Sequence, residues 1–144
     1  MENNLAENTN NNPVFNYEMV IKEFHLDTFG HVNNAVYLQI YEEARWEMIT
    51  VNGYGLDKVK SSGLGPVIMD AKIRFLKELK LREKITISIQ LLEYPSKVGT
   101  LKQWITTHDG HLSSDMEMKF GLFDTKQRKL VLPTDEWIKA IGGI

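Results

Sequence analysis

Asp27 and Asn33 stand six residues apart with Gly30 between them, just ahead of a segment whose apolar residues recur at helical spacing. Glycine lets a chain reverse sharply, so this spacing brings a carboxylate beside a helix N-terminus. The first N–H groups of a helix lack partners within it and carry partial positive charge, which suits them to a carbonyl oxygen that gains negative charge during acyl transfer. The carboxylate would either deprotonate water or attack the carbonyl itself. Free carboxylates titrate near ~3.9 and are weak bases, so the electrophile must have a good leaving group. A thioester meets that need, whereas an amide also demands an acid for which the sequence offers no candidate. Spacing alone leaves a plainer alternative open, in which Asp27 is an ordinary turn or cap carboxylate.

Other chemistries find less support. The chain has no cysteine, which excludes a thiolate nucleophile, a disulfide framework and the commoner structural zinc sites. There is no Gly-x-Ser-x-Gly elbow, and Ser61-Ser62 fall in a Gly-rich stretch without a His-Asp context. His108 and His111 flank Asp109-Gly110, a hairpin signal, so they read as exposed turn residues, and no metal or cofactor is expected.

The elements that must position Asp27 follow from periodicity. Phe15, Tyr17, Met19 and Ile21 alternate with polar residues and predict a first strand ending near Phe24. Tyr37, Tyr41, Ala44 and Met48 form one face of a helix that starts at Asn33 or Asn34, both good caps, and stops near Asn52-Gly53. After the Gly-rich SSGLG connection, alternation predicts strands over Met69–Phe75, Ile85–Leu91, Val98–Thr107 and Met116–Leu122. Short links between the last three make them antiparallel neighbours. Thr134 to Ile141 can form a short final helix with Thr134 as cap. A sheet with one apolar face and one long apolar-faced helix is expected to wrap around that helix, an α+β class. One helix cannot cover five strands, and two edges remain, so at least a homodimer is expected.

Composition bounds the rest. The chain of 144 residues, 42% hydrophobic, is sized for one domain, expected over 14–144 behind an Asn-rich disordered tail at 1–13. A net charge of −2 without a basic run argues against nucleic acid. No apolar stretch approaches the roughly 20 residues of a membrane span and no signal-peptide pattern opens the sequence, so a cytoplasmic protein is expected.

The run Asp27-Thr28-Phe29-Gly30-His31-Val32-Asn33-Asn34, followed by Tyr37-Leu38 and Glu42-x-Ala44-Arg45, resembles the signature of hotdog-fold acyl-CoA thioesterases, those like 4-hydroxybenzoyl-CoA thioesterase in particular. The strand order, the V-G-T at Val98 to Thr100 and the L-P at Leu132-Pro133 extend the likeness over most of residues 14 to 138. The resemblance implies an antiparallel five-stranded sheet wrapped around one long central helix, acting as an acyl-CoA hydrolase in a homodimer or homotetramer. It implies Asp27 as nucleophile or general base, and the backbone N–H of Asn34 as oxyanion donor, with Gly30, His31, Val32 and Asn33 shaping that site. Tyr37 reads as packing support, and Glu42 and Arg45, three apart on the helix, as a surface pair or a subunit contact. Coenzyme A would enter as part of the substrate, and Lys72, Arg74 and Lys77 are candidates for its phosphates. The chain departs from the pattern at His25, where many relatives carry an acidic residue, and near Glu78 and Arg82-Glu83, where they often carry Pro and Gly-Asp. A hotdog hydratase or dehydratase using Asp27 and His31, and a non-catalytic acyl-CoA binder, are the competing readings.

Overall fold

The computed structural model describes residues 10–143. The chain runs β1 (Phe15–Val20), one 3-10 turn (Glu23–His25), α1 (Asn34–Val51), α2 (Leu56–Ser62), β2 (Leu64–Phe75), β3 (Lys84–Glu93), β4 (Gly99–Thr107), β5 (Leu112–Asp124), β6 (Lys129–Val131) and α3 (Asp135–Ala140). The strands form one antiparallel sheet in the order β1-β3-β4-β5-β2, with β6 also on β5.

Asn33 caps α1 as expected, its Oδ1 accepting from the Ala35 N–H at 2.9 Å. Tyr37, Tyr41, Ala44 and Met48 are buried along the helix. They pack on the inner face of β3, β4 and β5, where Ile87, Ile89, Leu101, Ile105, Met116, Met118 and Phe120 are fully enclosed. Burying each such aliphatic side chain contributes about 1.5–3 kcal/mol. Thr134 caps α3 through the Trp137 N–H, and Trp137 closes the end of the core edge-on to Tyr54 and Phe120.

Four details differ from the sequence expectation. Strand β1 stops at Val20, because the Lys22 N–H donates to His25 Nδ1 and winds residues 23–25 into a turn. The SSGLG stretch is half helix: Ser61 and Ser62 end α2, and Gly63 reverses the chain at a φ of 72°. Strand β2 begins five residues earlier than its alternation suggests, because a register shift between Ile68 and Asp70 leaves Met69 unpaired and breaks the period of two. A sixth strand, β6, is too short to show a period; it follows the turn in which Asp124 Oδ1 accepts from the Lys126 and Gln127 N–H groups.

Residues 1–9 of the expected tail lie outside the described residues. Asn10 and Asn12 donate side-chain hydrogen bonds to the Leu91 carbonyl, and Gln90 Nε2 donates to the Asn12 carbonyl. These contacts bury Gln90, which strand alternation alone assigns to solvent.

Candidate active site

An isolated bridge between Leu26 and Val32 closes the loop that carries Asp27. Within it the Asp27 N–H donates to the His31 carbonyl at 2.8 Å and the Gly30 N–H to the Asp27 carbonyl at 3.1 Å. Gly30 sits at a φ of 79° with open space where a Cβ would be, so backbone conformation is what requires glycine there. Asp27 Oδ1 accepts from the Phe29 N–H at 2.9 Å and the His31 N–H at 3.3 Å. One carboxylate oxygen thus holds the loop, and among the described residues nothing donates to Oδ2.

The first turn of α1 has one spare donor. The Ala35 N–H goes to the Asn33 side chain, and those of Val36 and Tyr37 go to the Asn33 carbonyl. The Asn34 N–H has no acceptor among the described residues. Asp27, His31, Val32, Asn34 and Tyr37 line one side of a cavity of about 310 Å³, and Phe75 to Glu78, running from the end of β2, line the other. The carboxylate and the helix N-terminus that sequence spacing placed together therefore open onto one space.

The other sequence candidates divide. Val32 is buried and anchors the loop, while Asn33 is used up as the cap. His31 is exposed, and its Nε2 meets Glu78 Oε2 at 2.9 Å, tying the loop to the segment after β2. Tyr37 is buried with its ring edge-on to Phe75 at 5.0 Å, and burial pushes its phenol up in pKa. Glu42 and Arg45 are not at this cavity. They form no ion pair with each other: Glu42 accepts from Trp46 Nε1 at 3.4 Å, and Arg45 turns inward to donate to Gln103 Oε1 at 2.8 Å.

Of the basic candidates, Arg74 is held by both carboxylate oxygens of Asp115, and Lys72 stands opposite Glu117 on β5. Lys77 alone of the three lines the Asp27 cavity. His25 lies off the cavity; it is buried beside Phe24, and burial lowers its pKa. Away from this site, Glu83, His108 and Asp109 bring their ligand atoms within 4.8 Å of one another on the surface. The wall from Phe75 to Glu78 carries no local signal in the sequence; only the strand pairing brings it opposite Asp27.

A thioesterase-like superfamily model matches residues 23–141. The long-chain acyl-CoA thioesterase FadM of Escherichia coli is 31% identical over 113 residues, 78% of this chain and 85% of that one. The chain belongs to the thioesterase-like superfamily. Its reaction class is thioester hydrolysis. A probable thioesterase from Escherichia coli superposes with a TM-score of 0.77 at 27% identity, over 88% of this chain and 98% of that one. A Staphylococcus aureus protein solved in complex with CoA superposes at 0.83 with 18% identity, over 90% and 82% respectively, and shares the fold. The architecture is the hotdog fold, and among the described residues no helix is long and apolar enough to cross a membrane.

Proposed function

We propose that the protein hydrolyses acyl-CoA thioesters to a free acid and coenzyme A, with Asp27 as the reacting carboxylate and the Asn34 N–H as oxyanion donor. The observation that carries this reading is that Asp27, whose Oδ2 has no donor among the described residues, and Asn34, whose N–H has no acceptor among them, line one cavity. In one route Oδ2 attacks the carbonyl carbon, the C–S bond breaks, and water then cleaves the mixed anhydride. In the other, Oδ2 takes a proton from water, hydroxide adds to the carbonyl, and the departing thiolate receives the proton. The Asn34 N–H stabilises the oxyanion in both, helped by the α1 dipole. Lys77, which lines the cavity, is the residue of the three basic candidates that would meet a coenzyme A phosphate. Release of free thiol from acyl-CoAs, compared between wild type and Asp27→Asn, tests the reading; full activity in the variant overturns it.

The working unit of this proposal is a homodimer. Strand β2 is twelve residues long and, among the described residues, pairs only with β5, so its other edge is open. A second copy aligned on that edge satisfies its unpaired backbone groups. The cysteine-free composition fits the reducing cytoplasm.

A further inference from the structure

The Asp27 cavity meets the end of β2 at Phe75, and from there back to Ile68 the inner face of that strand is half-buried or exposed beside α1. Pro66, Ile68, Ala71, Ile73 and Phe75 stand opposite Leu122, Phe120, Met118, Met116 and Ser114, all buried, so the β2 residues share the inner face of the sheet. They form an apolar floor that α1 leaves partly open. On α1, Asn34, Leu38, Glu42, Arg45 and Trp46 recur at helical spacing and form the wall above that floor. At the far end lies a second cavity of about 190 Å³, floored by Pro66 and Ile68 and walled by Trp46, Phe120, Trp137 and Ile141.

The length of the cleft sets the size of its occupant. Arg45 follows Asn34 by eleven residues of helix, roughly 16 Å. Phe75 follows Ile68 by seven residues of strand, roughly 23 Å. An extended carbon chain with bonds of ~1.5 Å advances about 1.25 Å per carbon, so about 13–18 carbons reach from the Asp27 site to the second cavity.

That cavity is not simply greasy, because Arg45 lines it. Its NH1 donates to Gln103 Oε1, and Gln103, fully buried, is itself fixed by donating from Nε2 to the Tyr41 carbonyl at 3.1 Å. Glu42, the acidic neighbour whose charge Arg45 feels, accepts instead from Trp46 and is not within ion-pair distance of it. A guanidinium has five N–H donors and accepts nothing; here one of them has a protein acceptor among the described residues. Holding such a group among apolar walls is costly unless an acceptor meets it.

We infer that the second cavity receives the far end of a long acyl chain and that Arg45 selects chains carrying an oxygen acceptor, a hydroxyl or a carboxylate, at or near the terminal carbon. The inference rests on thioester hydrolysis at Asp27. A partner strand on the β2 edge would close the open side of the cleft without filling the cavity at its end.

The test compares hexadecanoyl-CoA, 16-hydroxyhexadecanoyl-CoA and the mono-CoA thioester of hexadecanedioic acid. Wild type is expected to show a kcat/KM at least tenfold higher for one or both oxygenated chains, and which of the two leads tells hydroxyl from carboxylate. Arg45→Met, apolar and of similar length, is expected to lose that preference, bringing the three substrates within about threefold of one another. Ile68→Trp, which fills the cavity floor, is expected to shorten the longest chain accepted. No preference in wild type, or an equal preference in Arg45→Met, overturns the inference, as does an equal loss for all three substrates, the mark of a merely structural arginine. Calorimetric titration of Asp27→Asn with the same three thioesters reads the ranking without turnover. The expected ranking there, with full hydrolysis retained, would sink the Asp27 assignment and leave the cavity standing; equal affinities would sink the cavity alone.

Discussion

Asp27→Asn separates the chemical duty of this side chain from its structural one. Oδ1 accepts the Phe29 and His31 N–H groups, and an amide oxygen in the same place accepts them equally well. The substitution removes the negative charge at Oδ2, which carries either proposed route. A positioned general base contributes about 10²–10⁴-fold, so the thiol-release rate should fall at least about 10²-fold while the melting temperature stays close to wild type. Asp27→Ala should lose the same activity and also both loop bonds, each worth about 0.5–1.5 kcal/mol, and so melt several degrees lower. Having no cysteine, the protein adds nothing to a thiol-reactive dye, and the dye reads released coenzyme A alone. Should Asp27→Asn keep activity within threefold of wild type, the carboxylate is not the reacting group. Should it melt as low as Asp27→Ala, the loop geometry given to Oδ1 is wrong.

Trp137→Ala empties the end of the core where Trp137 meets Tyr54, Tyr94 and Phe120. A loss of about 3–5 kcal/mol is expected in urea unfolding, and a loss below 1 kcal/mol would refute the packing role. His25 accepts the Lys22 N–H at Nδ1, and burial lowers its pKa in the fold. The unfolded chain therefore binds that proton first, so the stability is present above the unfolded value of ~6.5 and is lost as pH falls from there toward the lowered folded value. His25→Gln, which can still accept the bond but does not titrate, should flatten that portion of the stability profile; a profile as steep as wild type would assign the dependence to another group.

What the sequence makes legible is whatever rests on local physics. The cap at Asn33, the buried stripe Tyr37, Tyr41, Ala44 and Met48, the strands over Ile85–Leu91 and Met116–Leu122, and the cap at Thr134 each follow from period or side-chain chemistry within a few residues. Where local signals compete with longer-range ones, the reading slips. The unpaired Met69 interrupts the alternation of β2, and five of that strand's residues, 64–68, fall outside the stretch its period predicts. Gly63 ends a helix rather than extending a loop, a distinction that depends on α2 and not on the glycine.

The candidate site divides along the same line. The half proposed to react is local, because Asp27, Gly30 and Asn34 lie within one turn and one helix start, and the hydrogen bonds that leave Oδ2 and the Asn34 N–H spare among the described residues form between near neighbours. Its receiving half is not. Phe75 to Glu78 reach the cavity only because β2 pairs antiparallel with β5, and Arg45 leaves the helix surface only because Gln103 on β4 offers it a buried acceptor. A spacing of three suggests a surface pair of Glu42 and Arg45 or a contact across a subunit interface, and a single buried glutamine some sixty residues away displaces the pair. On the proposed reading, reaction class is written in a contiguous stretch of sequence, whereas substrate choice is set by contacts between strands and helix. Changes at Ile68, Gln103 or Arg45 can therefore alter the acyl group accepted while the stretch from Asp27 to Asn34 stays as it is.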